Sequence, residues 1–132
     1  MTASELETVT WRCIHYAATE GIREVLNDVT SRGIFVARVG AESSADKATL
    51  LKGLCSALKC PDYVGFNWDA IEEAMGDLEW LPAKAYVVVI EGGTRLWRTI
   101  PREGGILVEV ALATAELWSR DGTPFHLIFD ME

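Results

Sequence analysis

The chain has 132 residues, 49% of them apolar, and a formal net charge of −8 at pH 7. A chain of this length amounts to one domain and buries roughly 65–70% of the surface it exposes when unfolded, so a core is available without disulfide staples. The negative balance excludes a nucleic-acid binder, which needs a basic footprint for phosphates, and it disfavours an anionic membrane surface.

Residues 1–8 are polar and are expected to be loose. Val9–Tyr16 (VTWRCIHY) reads as a strand. Thr19 is expected to cap a helix running to about Ser31, whose apolar positions Ile22, Val25, Leu26 and Val29 fall on one stripe. Gly33 stops it, and Ile34–Val39 is a β-rich run. Ser44 or Asp46 starts the next helix, with Leu50, Leu51, Leu54, Ala57 and Leu58 apolar, and Pro61 ends it. Gly65 marks a turn and Asn67 is a good N-cap for a short helix from Trp68 to about Met75. Ala85–Glu91 is the clearest strand, followed by Gly92-Gly93 and a short helical turn around Leu96-Trp97. A long helix lies within Pro101–Arg120, with Ile106, Leu107, Val110, Ala111, Thr114, Leu117 and Trp118 at helical spacing. Asp121-Gly122 closes it, Pro124 prevents continuation, and Phe125–Phe129 is the last strand.

Strands alternating with helices predict an α/β fold: a small parallel sheet flanked by helices, with three core strands and one extra N-terminal strand. The chain reads as a single domain over 1–132. Its only internal boundary falls near residue 32, between a strand–helix extension (1–32) and a core (33–131).

Catalysis would need a nucleophile with a base, or a metal. His15 and His126 are the only imidazoles. His126 sits within an apolar strand, where a hydrogen-bonded structural histidine is the simpler reading. Cys13-x-His15 and Cys55-x4-Cys60 do not have zinc-ligand spacing. There is no GxSxG, no Walker loop and no GxGxxG after a strand. No catalytic residue, metal site or cofactor is therefore expected. The three cysteines read as reduced thiols. Met1–Glu7 has neither a basic start nor an apolar stretch, so no signal peptide is expected, and the protein is read as cytoplasmic.

The charge distribution is more informative than its total. Between Lys59 and Lys84 there is no Lys or Arg, while Asp62, Asp69, Glu72, Glu73, Asp77 and Glu79 all lie there. Most charge runs are solvated helix faces, but those interleave both signs. Here one sign stands alone, among Tyr63, Trp68 and Trp80. Asp69, Glu72 and Glu73, at i, i+3 and i+4, share one helix face. All three are expected in the first helical turn, where the macrodipole offsets their mutual repulsion. Gly65 leaves room for a partner to approach the backbone, and Tyr63 offers a rigid contact with a polar tip.

The run Leu58-x-x-Pro61-Asp-Tyr63-Val-Gly65-Phe-Asn67-Trp-Asp69-Ala70-Ile71-Glu-Glu73 resembles the signature of the barstar family, small intracellular inhibitors of secreted bacterial ribonucleases. The likeness continues through Asp77-Leu-Glu-Trp80, the strand at Ala85 and the approach to the last strand, covering about residues 33–131. The first 32 residues resemble the extra N-terminal unit of longer barstar-like proteins.

The resemblance implies that an acidic helix and the loop before it plug a nuclease active site. Asp69 and Glu73 would face the enzyme's phosphate-binding cations, and Tyr63 would cover its catalytic imidazole. Glu73 stands where the best-known member has Asp, Val64 where it has a second aromatic, and Glu72 where it has a tryptophan. The expected partner-binding residues are Tyr63, Gly65, Asn67, Asp69, Glu72 and Glu73. The expected partner is a basic ribonuclease or nuclease toxin, with no nucleic acid or membrane involved and the free protein a monomer. The alternative is a non-inhibitory interaction module of the same fold that binds another basic protein.

Overall fold

A computed structural model describes residues 1–132. In chain order the elements are α1 (Ala3–Leu6), β1 (Ile14–Ala17), α2 (Thr19–Val29), β2 (Ile34–Val39), α3 (Lys47–Ala57), α4 (Trp68–Asp77), β3 (Ala85–Ile90), α5 (Gly93–Thr99), α6 (Pro101–Ser119) and β4 (Phe125–Asp130). Short 3-10 turns follow α2, at Thr30–Arg32, and β2, at Ala41–Ser44. The four strands form one parallel sheet in the order β1-β4-β3-β2. This is the α/β architecture expected from the alternation of elements.

The central strands β3 and β4 are buried at every position, which is why AYVVVI and FHLIFD run almost without polar residues. Alternate side chains feed two cores. Tyr86, Val88, Ile90, Leu127 and Phe129 pack with Leu50, Leu54, Ile71, Met75 and Leu107 from α3, α4 and α6. Ala85, Val87, Val89 and Ile128 pack on the other face with Leu6, Ile22, Leu26 and Val29 from α1 and α2. The α2 stripe is the one its spacing predicts.

Several local expectations are corrected. Residues 1–8 contain a turn of helix, capped by Thr2, whose hydroxyl accepts the Glu5 N–H. Val9–Cys13 is not strand, and β1 begins only at Ile14. Extending the β1–β4 register backwards from Ile14↔Leu127 would set Trp11 opposite Pro124, before β4 begins at Phe125, so Val9–Trp11 has no strand beside it to pair with. Thr19 does not cap α2. Ala18 occupies the N-cap position with no side-chain cap, and the Thr19 hydroxyl instead donates to the Asp130 carboxylate at 2.8 Å. Helix α3 starts on Asp46, which with Thr49 forms a capping box, and it ends at Ala57, ahead of Pro61. No helix is long and apolar enough to cross a membrane.

Candidate partner-binding face

The acidic stretch is fixed at both ends. At its start, α3 closes through Lys59, which takes a left-handed φ of 54°. A turn follows, with the Val64 N–H donating to the Pro61 carbonyl at 3.1 Å. Asn67 then adopts extended backbone, and its Oδ1 accepts the Ala70 N–H at 2.8 Å. It is the N-cap expected from its place in the sequence. An added Cβ on Gly65 would meet the Asn67 Nδ2 at 3.0 Å, so the glycine leaves room for the capping side chain.

Helix α4 turns Ile71, Ala74 and Met75 inward. Asp69, Glu72 and Glu73 are exposed. Only Asp69 lies in the first turn, near the positive end of the helix dipole. Glu72 and Glu73 fall in the second turn, which corrects the expectation that all three share the first. The last carbonyls of α4 are satisfied by the C-cap residue and by a side chain from α6. Ala74 accepts the Leu78 N–H at 3.0 Å, and Met75 accepts the Trp118 indole N–H at 2.8 Å.

Tyr63, Val64, Ala70, Glu73, Ala74, Asp77 and Trp80 line a cleft of about 180 Å³ between the loop and α4. Of the residues expected from the sequence, it brings together Tyr63 and Glu73. Asp69 and Glu72 stand on the helix surface outside it, and Gly65 and Asn67 lie at the loop's end. Asp77 and Trp80 were not among the expected site residues. Asp77 could have been found, since it follows Glu73 by four residues and continues its stripe. The Tyr63 phenol is held above its ordinary pKa by local desolvation and then by Asp77, Glu79 and Glu73.

None of the six acids between Asp62 and Glu79 forms an ion pair within the chain; the six ion pairs present lie elsewhere. A second cavity, about 670 Å³, is lined by Val9, Trp11, Cys13, Leu112 and neighbours and by none of the six acids. Both histidines are engaged with each other: His15 Nε2 and His126 Nδ1 are 2.9 Å apart, and His126 Nε2 is 3.1 Å from the Thr8 carbonyl.

The architecture and this face define a small parallel α/β protein presenting a one-signed acidic helix to solvent. Residues 34–130 match the family model described as Barstar (barnase inhibitor), and the chain belongs to the barstar family. Members of this family are inhibitors that bind a ribonuclease, not enzymes. A search of curated proteins finds no match.

Proposed function

We propose that this protein inhibits a ribonuclease or nuclease toxin by seating the Tyr63–Asn67 loop and helix α4 in the enzyme's active site. The observation that carries this reading is a set of six carboxylates, none of them ion-paired within the chain, two of which, Glu73 and Asp77, line an aromatic-walled cleft. A site that binds a phosphodiester must be cationic. Carboxylates held where phosphates would sit compete with substrate directly, and the one-signed field raises the encounter rate.

Asp69, Glu72 and Glu73 present the charge along α4. Glu73 and Asp77 stand at the cleft, where a guanidinium or imidazolium from the partner would meet carboxylates with Tyr63 and Trp80 as apolar walls. The reading places the protein in the cytoplasm as a monomer, protecting the cell from a nuclease.

The test is affinity capture on the immobilised full chain from the source cells. Ribonuclease activity should be absent in the complex and appear once the retained protein is released and separated. Retention of basic proteins without nuclease activity would favour the interaction-module alternative and overturn inhibition.

A further inference from the structure

The end of α3 sets two thiols against each other. The Cys60 N–H donates to the Cys55 carbonyl at 2.9 Å, and the Lys59 N–H donates to the Ser56 carbonyl at 3.2 Å. With Lys59 in the left-handed region, these are the two bonds of a Schellman motif. That motif brings the side chains at its first and last hydrogen-bonded positions together, ordinarily as an apolar pair. Here both are cysteines, Cys55 at the first and Cys60 at the last of those positions. Cys55 is buried, Cys60 is half-buried, and both line a cavity of about 260 Å³ shared with Pro61, Asp62, Val64 and Phe66.

We propose that Cys55 and Cys60 are a dithiol that closes to an intrachain disulfide at the base of the acidic loop. The oxidant is a low-molecular-weight disulfide, RSSR. The Cys60 thiolate attacks one of its sulfurs, the S–S bond breaks, and RS⁻ leaves. The Cys55 thiolate then attacks the Cys60 sulfur and expels the second RS⁻. The two protein thiol protons end on the two RS⁻ groups, so two thiols are oxidised while one RSSR is reduced to two RSH.

Cys60, the more exposed of the pair, makes the first attack, and the adjacent Cys55 resolves the mixed disulfide. Burial, and then Cys55, hold the Cys60 thiol up at about 12. Little thiolate exists near neutrality, so closure is slow and quickens about tenfold per pH unit below that value. Closure ties the residue before Pro61 to α3, directly beneath the loop that leads to Tyr63 and Asn67. This chemistry stands whether or not the partner is a nuclease.

The experiment uses the reduced full chain, which has three free thiols, incubated with oxidised glutathione at pH 8. Thiols counted after denaturation should fall from three to one, and peptide mapping should show the bond between residues 55 and 60. Cys13→Ser should close as before, while Cys60→Ser should form no intrachain bond. Survival of all three thiols would overturn the proposal. So would a stable glutathione adduct without closure, a bond to Cys13, or a link between two chains.

Discussion

The indole N–H of Trp80 donates to the backbone carbonyl of Leu58 at 3.0 Å, closing the segment that carries all six acids of the candidate face. Six like charges push that segment apart, and this bond and the Trp118–Met75 bond hold it to the core. Trp80→Phe keeps an aromatic wall and leaves the Leu58 carbonyl without its donor. The expected loss is about 1 kcal/mol of stability, the usual net worth of such a bond, read as a lower urea midpoint. An unchanged midpoint would show that the clamp does not hold the face.

Asn67 fixes where α4 begins. Asn67→Ala should lower stability by about 1 kcal/mol, and Asn67→Asp should retain it, because an aspartate caps equally well. Gly65→Ala should produce a smaller loss, since its Cβ would only crowd the Asn67 amide at 3.0 Å. Thermal unfolding of the three variants checks the order.

The histidine pair makes stability depend on pH. The Thr8 carbonyl can only accept, so His126 Nε2 carries the proton and Nδ1 accepts from His15 Nε2. Burial and then the His126 neighbour press His15 down to about 4, with Glu5 opposing, and burial lowers His126 as well. An unfolded histidine titrates near 6.5, so below that pH the unfolded chain takes up protons that the folded pair refuses. This contribution is complete above about pH 6.5 and is lost progressively towards pH 4. The urea midpoint should drop between pH 7 and 5, with a shallower slope in His15→Gln. A flat wild-type profile over that window would contradict the assignment.

We propose that the N-terminal 32 residues belong to one folding unit with the rest. Removing them uncovers Val87, Val89 and Ile128, now buried under Ile22, Leu26 and Val29. Each such side chain contributes roughly 1.5–3 kcal/mol through burial. The truncated chain should melt at a lower temperature or aggregate; equal stability would sink the single-unit reading.

Much of the fold was legible because its signals are local. β3 and β4 announce themselves as continuous apolar runs, and Asp46 and Asn67 cap the helices that follow them. Val9–Trp11 misled because β-propensity is expressed only where a neighbour can pair, and the neighbour begins after Pro124. Thr19 misled because Asp130, more than a hundred residues away, competes for its hydroxyl. The cleft shows the same limit. Glu73 and Asp77 follow from helix spacing, but Trp80 joins them through core packing and its bond to the Leu58 carbonyl, neither of which is local in sequence.

The most direct test of the central claim is the affinity of the full chain for the ribonuclease it captures, measured for Asp69→Asn and Glu73→Gln beside Glu132→Ala. Neutralising one member of a desolvated charge pair weakens binding by ~2 kcal/mol or more, about 30-fold, a range set in part by this family's own inhibitor–nuclease complex. Each of the first two variants should lose at least that much. Glu132→Ala should lose almost nothing, and added salt should slow association more than it speeds dissociation. If both acids can be neutralised together with no change in affinity or inhibition, the acidic helix is only a solvated face and the account is wrong.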